Sequence, residues 1–102
     1  MKMYRQGDVL IVRVTKVPEG ATDVTPQDRI VLMHGEVTGH AHAIQEVTKA
    51  RLLDVQAERY LQVLQEVTLR HEEHGAIVLD KGTYRQAFQV EDFGEEVRRV
   101  AD

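Results

Sequence analysis

Short runs of Val, Ile and Leu broken by turn residues dominate the chain, and the period of most of them is that of strands. "GDVLIVRVTKV", residues 7–17, is rich in β-branched residues and runs into "PEGATDVTPQD", which carries Pro, Gly and Asp; it predicts a strand and then a loop. "RIVLMHGEV" predicts a second strand, with Gly35 as a bulge or the start of a bend. "HAHAIQEV" predicts a third, reached across "TG", and "ARLLDVQ" a short fourth.

"ERYLQVLQEVTLRH" carries two periods at once. Tyr60, Leu64, Val67 and His71 follow helical spacing, whereas Leu61, Val63, Val67, Leu69 and His71 all fall on odd positions, as a strand with one buried face requires. The strand is the better reading, because the segments on both sides are themselves sheet-like. "AIVLDKGTYRQAFQVEDF" predicts a hairpin: Ile77 and Leu79 lead into Asp80-Lys81-Gly82, with Tyr84, Phe88 and Val90 on one face of the returning strand. "EDFGEEVRRVAD" then predicts a short C-terminal helix, with Val97, Val100 and Ala101 as its apolar stripe and acids ahead of Arg98 and Arg99. About six strands and one small helix make residues 1–102 a single, mainly β domain, a compact antiparallel barrel or jelly-roll-like sandwich.

Composition narrows the chemistry. With 42% hydrophobic and 29% charged residues, the chain is an ordinary globular domain. It has no Cys, Ser, Asn or Trp, so disulfides, thiolate metal sites and serine or cysteine nucleophiles are all excluded. A formal net charge of −4 with scattered basic residues argues against nucleic acid as the partner. No apolar run is long enough to span a bilayer, and "MKMYRQGDVLIVRV" lacks the shape of a signal peptide, so the expected location is cytoplasmic.

The histidines change the picture. His34, His40, His42, His71 and His74 fall in two clusters, "HGEVTGHAH" and "HEEH". On a strand, His40 and His42 project from the same face; His71 and His74 converge if "HEEH" forms a turn or bend. Imidazole suits zinc first, and also iron, nickel or copper, so His40, His42, His71 and His74 form a candidate set of ligands for a divalent metal. Glu72, Glu73 or Glu46 would serve as a further ligand, an orienting partner or a general base. Two other readings stand beside this one: a buried hydrogen-bonding or pH-sensitive cluster, and unrelated surface histidines. "HEEH" is not the zincin H-E-x-x-H, since its histidines are three apart rather than four.

"GEVTGHAHAIQE" resembles the first metal-binding motif of the cupins, with Gly35, His40, His42 and Glu46 at the matching positions. That resemblance implies a jelly-roll holding a divalent metal between His40, His42, Glu46 and one later histidine, with His71 filling that place. The gap between Gly35 and His40 is one residue short of the motif, and the downstream cupin motif has no counterpart. More of the chain, in "RQGDVLIVRV", "GEVTGHAH", "HEEHGAIVLDKGTYR" and "RRVAD", resembles an uncharacterised family of small bacterial and phage proteins, which implies no activity.

The leading expectation is therefore a small metal-binding β protein, a metal-dependent hydrolase or other cupin-like enzyme, with Glu72 or Glu73 as base and a small-molecule substrate. So short a chain is expected to form a homo-oligomer whose subunits share pocket walls. The alternative is a non-catalytic oligomeric assembly or binding module, phage-associated, with structural or pH-sensing histidines.

Overall fold

A computed structural model of the chain describes residues 2–35 and 39–87. Ten strands lie among the described residues: β1 (Met3–Gln6), β2 (Val9–Val14), β3 (Thr22–Asp23), β4 (Ile30–His34), β5 (Ala41–Ile44), β6 (Ala50–Val55), β7 (Glu58–Val63), β8 (Val67–Arg70), β9 (Ile77–Leu79) and β10 (Gly82–Ala87). They form two antiparallel sheets, a six-stranded one in the order β1-β2-β10-β7-β6-β3 and a four-stranded one in the order β4-β5-β8-β9. Among the described residues there is no helix and no closed barrel, since each sheet keeps two edge strands. The C-terminal helix expected over residues 91–102 lies outside the described residues.

One core joins the two sheets. Val9, Ile11, Leu61, Val63 and Tyr84 of the larger sheet pack with Ile30, Ile44, Val67, Leu69 and Leu79 of the smaller, all fully buried. Each such side chain contributes roughly 1.5–3 kcal/mol through apolar area removed from water. Of the odd positions read from "ERYLQVLQEVTLRH", Leu61, Val63, Val67 and Leu69 are buried and His71 half-buried, but Tyr60 is buried too and the single long strand is not there. The chain breaks at Leu64–Glu66 and delivers β7 to one sheet and β8 to the other. Leu64 and Gln65 give their amides to the Lys49 carbonyl instead of to a ladder, which turns the backbone while leaving the odd face inward.

The hairpin predicted from Ile77 onward is likewise overturned over its described residues, 77–87; Phe88 and Val90 lie outside them. β9 pairs with β8, whereas β10 lies between β2 and β7, so Asp80-Lys81 is a crossing between sheets. Gly82 serves this crossing through lack of bulk: a Cβ there would fall 2.6 Å from the Arg13 guanidinium, which donates to the Lys81 carbonyl. β4 carries a bulge at Leu32 and ends at His34, and the bend that Gly35 would open falls on residues outside the described ones.

Missed from the sequence was the first hairpin. Residues 3–14 form β1 and β2 around Gly7-Asp8, with Gly7 at φ +57° as the first residue of a two-residue turn. That turn brings Gln6 and Gly7 to the histidines.

Candidate metal centre

β5 and the bend after β8 build the site. His40 precedes β5 and His42 lies within it; two residues apart, both rings meet His71, at centroid distances of 5.7 and 4.2 Å. "HEEH" is a bend that brings His74 back to 4.7 Å from His71 and 5.9 Å from His42. All four histidines named from the sequence therefore meet in one cluster. His34 does not share these contacts; it stands exposed at the end of β4, across the ladder from Ala41. Two glycines make room. A Cβ on Gly7 would fall 2.7 Å from His74 Nε2, and one on Gly35 would crowd His40 Cβ at 3.0 Å and His71 Nε2 at 3.2 Å.

Proximity is not equal for all ligands. Among the described residues, His40, His71 and Glu72 are the group whose donor atoms lie within 4.8 Å of one another. His42 and His74 stand beside this set. Glu72 is thus the carboxylate that brings an oxygen within reach of both imidazoles. Its Oε1 accepts the Ala41 amide at 3.0 Å, where the β5–β8 ladder has already ended. That hydrogen bond, its own backbone amide and the neighbouring His40 and His71 hold its carboxyl below the usual range. A carboxylate so stabilised is a better ligand than proton acceptor. Glu73 lies 3.1 Å from His40 Nδ1, a carboxylate contact that orients the ring and does not engage Nε2. Glu46 sits at the other end of β5 from His40, away from this group, with its Oε1 buried and unpartnered.

Sequence reasoning missed Gln6. Its side-chain amide, 2% exposed, donates to the Leu69 and Gly75 carbonyls, each at 2.9 Å. With both N–H groups spent, its Oε1 faces His42 Nδ1 at 2.9 Å and must accept from it. The proton of neutral His42 is thereby placed on Nδ1 and the lone pair on Nε2. His71 is set the opposite way: its Nδ1 accepts the Glu73 amide at 3.0 Å, so its proton lies on Nε2 when the ring is neutral. Binding a metal through His71 Nε2 requires that proton to move to Nδ1 and the exposed Glu73 amide to turn to water. The one signal for Gln6 was a polar residue at the foot of a tight "QGD" turn, too common to read.

Burial pushes the His42 imidazole below its ordinary 6.5, and the neighbouring His71 and His74 add to this against opposing Asp8 and Glu72. The folded chain therefore takes up a proton at His42 less readily than the unfolded chain. Stability from this residue is whole above pH 6.5 and is lost as pH falls from there through the lowered folded value. In chelator, urea midpoints should fall between pH 7.5 and 5, and His42→Asn, whose amide nitrogen can replace Nδ1 toward Gln6, should flatten that slope. An equal slope in both proteins would place the pH dependence elsewhere.

Beside the cluster a shallow cleft of about 190 Å³ opens between Arg29, Ala41, Ala43, Gln45, Arg70, His71 and Glu72. A larger cavity of about 340 Å³, lined by Leu32, Met33, Asp54 and Gln86 among others, contains no histidine. No helix among the described residues is long and apolar enough to cross a membrane.

A family model described as a domain of unknown function (DUF8820) matches residues 5–89, the span that holds every residue of this site. No curated protein and no solved structure matches the chain.

Proposed function

Because the chain belongs to this family of unknown function, we propose from the site's geometry that it binds a divalent metal through His40, His71 and Glu72. The observation that carries this reading is the convergence of two imidazoles and one ionised carboxylate within 4.8 Å, drawn from two segments thirty residues apart in the chain. Two histidines and a carboxylate suit zinc in an open site or non-haem iron, and leave coordination positions for water or substrate. A bound ion would supply Lewis acidity and lower the pKa of water, the chemistry of a metal-dependent hydrolase. Glu73 would hold His40 in its binding orientation, and Gln6 would fix the ring and tautomer of His42 beside the ligands.

The test is metal content of tag-free protein by inductively coupled plasma mass spectrometry, after reconstitution with zinc, iron(II), nickel or copper. The expected result is near one equivalent per chain, with affinity at least a hundredfold weaker in His40→Ala/His71→Ala. Glu72→Gln should weaken binding more than His74→Ala, because the carboxylate and not the fourth imidazole completes the set. A wild type that binds none of these ions overturns the reading, as does equal affinity in the double variant.

A further inference from the structure

The cleft beside the site has a composition of its own. Its floor is Ala41 and Ala43, on the face of β5 opposite His42 and Ile44 and outside the apolar core cluster. Val31 of β4 and Arg70 of β8 lie on either side of Ala43 in the ladders. Arg29, two residues before Val31, projects on that same face, so two arginines wall a floor that has only methyl side chains. Other arginines nearby are spent within the protein: Arg51 on Asp23, Arg59 on Asp54, Arg85 on Glu58, and Arg13 on the Lys81 carbonyl. The Arg29 and Arg70 guanidiniums have no acidic partner among the described residues. In a chain of net charge −4, two cations without an acidic partner among the described residues thus stand at a cleft that His71 and Glu72 also line.

Guanidinium forks match oxyanions, and two arginines lining one cleft over a small floor make a site for one. The volume, about 190 Å³, has room for roughly six waters at ~30 Å³ each. That suffices for a phosphate or carboxylate with a few further atoms, and falls short of a drug-sized ligand. Glu72 closes the end of the cleft, with Oε1 on the Ala41 amide; its negative charge would repel an anion drawn along the floor and keep it on the arginine side.

We propose that Arg29 and Arg70 bind the oxyanion group of a small substrate and present its remainder to His71 and Glu72. The second half of this statement rests on the metal reading above; the anion site itself does not. Arg29 and Arg70 are positioning residues under this assignment, since they would touch the substrate's anionic group and not its reacting atoms.

The full chain, kept in chelator, is titrated with inorganic phosphate and with succinate, and binding is followed by amide chemical shifts. Saturable binding of at least one of them is expected, with the larger shifts at residues 41–45 and 70–72. Affinity should fall at least tenfold in Arg29→Gln/Arg70→Gln and less in Arg29→Lys/Arg70→Lys, which keeps the charge and loses the fork. Arg59→Gln, outside the cleft, controls for general charge, and its affinity should match wild type. Tighter binding of phosphate assigns a phosphate ester as the substrate class, and tighter binding of succinate a carboxylate; either supports the proposal. No saturable binding of either anion by wild type overturns it, as does equal affinity in the Arg→Gln pair. His40→Ala in chelator should keep anion binding, so loss of metal binding and loss of anion binding are read as separate failures.

Discussion

Gln6→Ala is expected to cost about 3 kcal/mol of stability, lowering the melting temperature by roughly 15 °C for a domain of this size. Gln6 lies on β1, in the larger sheet, yet both its amide hydrogens go to the other side of the molecule: one to the Leu69 carbonyl on β8 and one to Gly75 after the bend. Its oxygen accepts from His42 on β5. One side chain therefore closes three hydrogen bonds beside the candidate centre, two of them between the sheets and one to the loop after β8. A typical bond of this kind contributes about 1 kcal/mol net, but a buried group left without a partner costs about 1–3 kcal/mol. The Leu69 carbonyl and His42 Nδ1 would be left in that condition. Gln6→Met, which fills the space and makes no hydrogen bond, separates packing from bonding: it should recover less than half of the loss. If it recovers most of it, the network is worth little and Gln6 is a space-filler. Gln6→Ala should also weaken metal binding, since His42 would lose its fixed orientation beside His71.

Tyr84→Ala should be costlier still, about 4 kcal/mol, a large share of the roughly 5–15 kcal/mol that holds a domain folded. Tyr84 lies on β10 between β2 and β7, fully buried. Its ring meets Tyr4 edge-on at 5.9 Å and lies 5.7 Å below the Arg13 guanidinium, and its hydroxyl donates to the Asp80 carbonyl at 2.7 Å. That last bond ties down the crossing between the sheets. Tyr84→Phe removes the hydroxyl alone and should cost about 1 kcal/mol. Urea unfolding of the two variants measures both. A Phe variant as unstable as the Ala variant would show that the hydroxyl, and not the ring, carries the contribution.

These two residues differ in how far the sequence exposed them. Tyr84 was legible as a core candidate from alternation in its segment, although the hairpin built around it was wrong. Turn residues such as Asp-Lys-Gly report that the chain changes direction; they do not report which strand receives it. Gln6 was not legible, because a polar residue near a turn has its partners chosen sixty residues downstream, at Leu69 and Gly75.

The candidate site divides in the same way. That His40 and His42 share a face follows from the two-residue period of a strand, and that His71 joins them follows from the odd face of "QVLQEVTLRH". The four-histidine ligand set reads the histidines as equals, and distance does not treat them so. The bend after β8 carries Glu72 to the open amide of Ala41, within reach of His40 and His71, while His74 packs over Gly7.

Local period and composition by themselves determined the β class, the inward residues of most strands, the absence of thiol and serine chemistry and the two histidine clusters. Those properties depend on residues a few positions apart, whose geometry the backbone repeats. Strand order, the division of β7 from β8, the crossing at Asp80-Lys81 and the placing of Glu72, rather than His74, within 4.8 Å of His40 and His71 were decided by the tertiary structure alone. They depend on which distant segments compete for the same amide, carbonyl or buried space, and that competition is settled only when the whole core assembles.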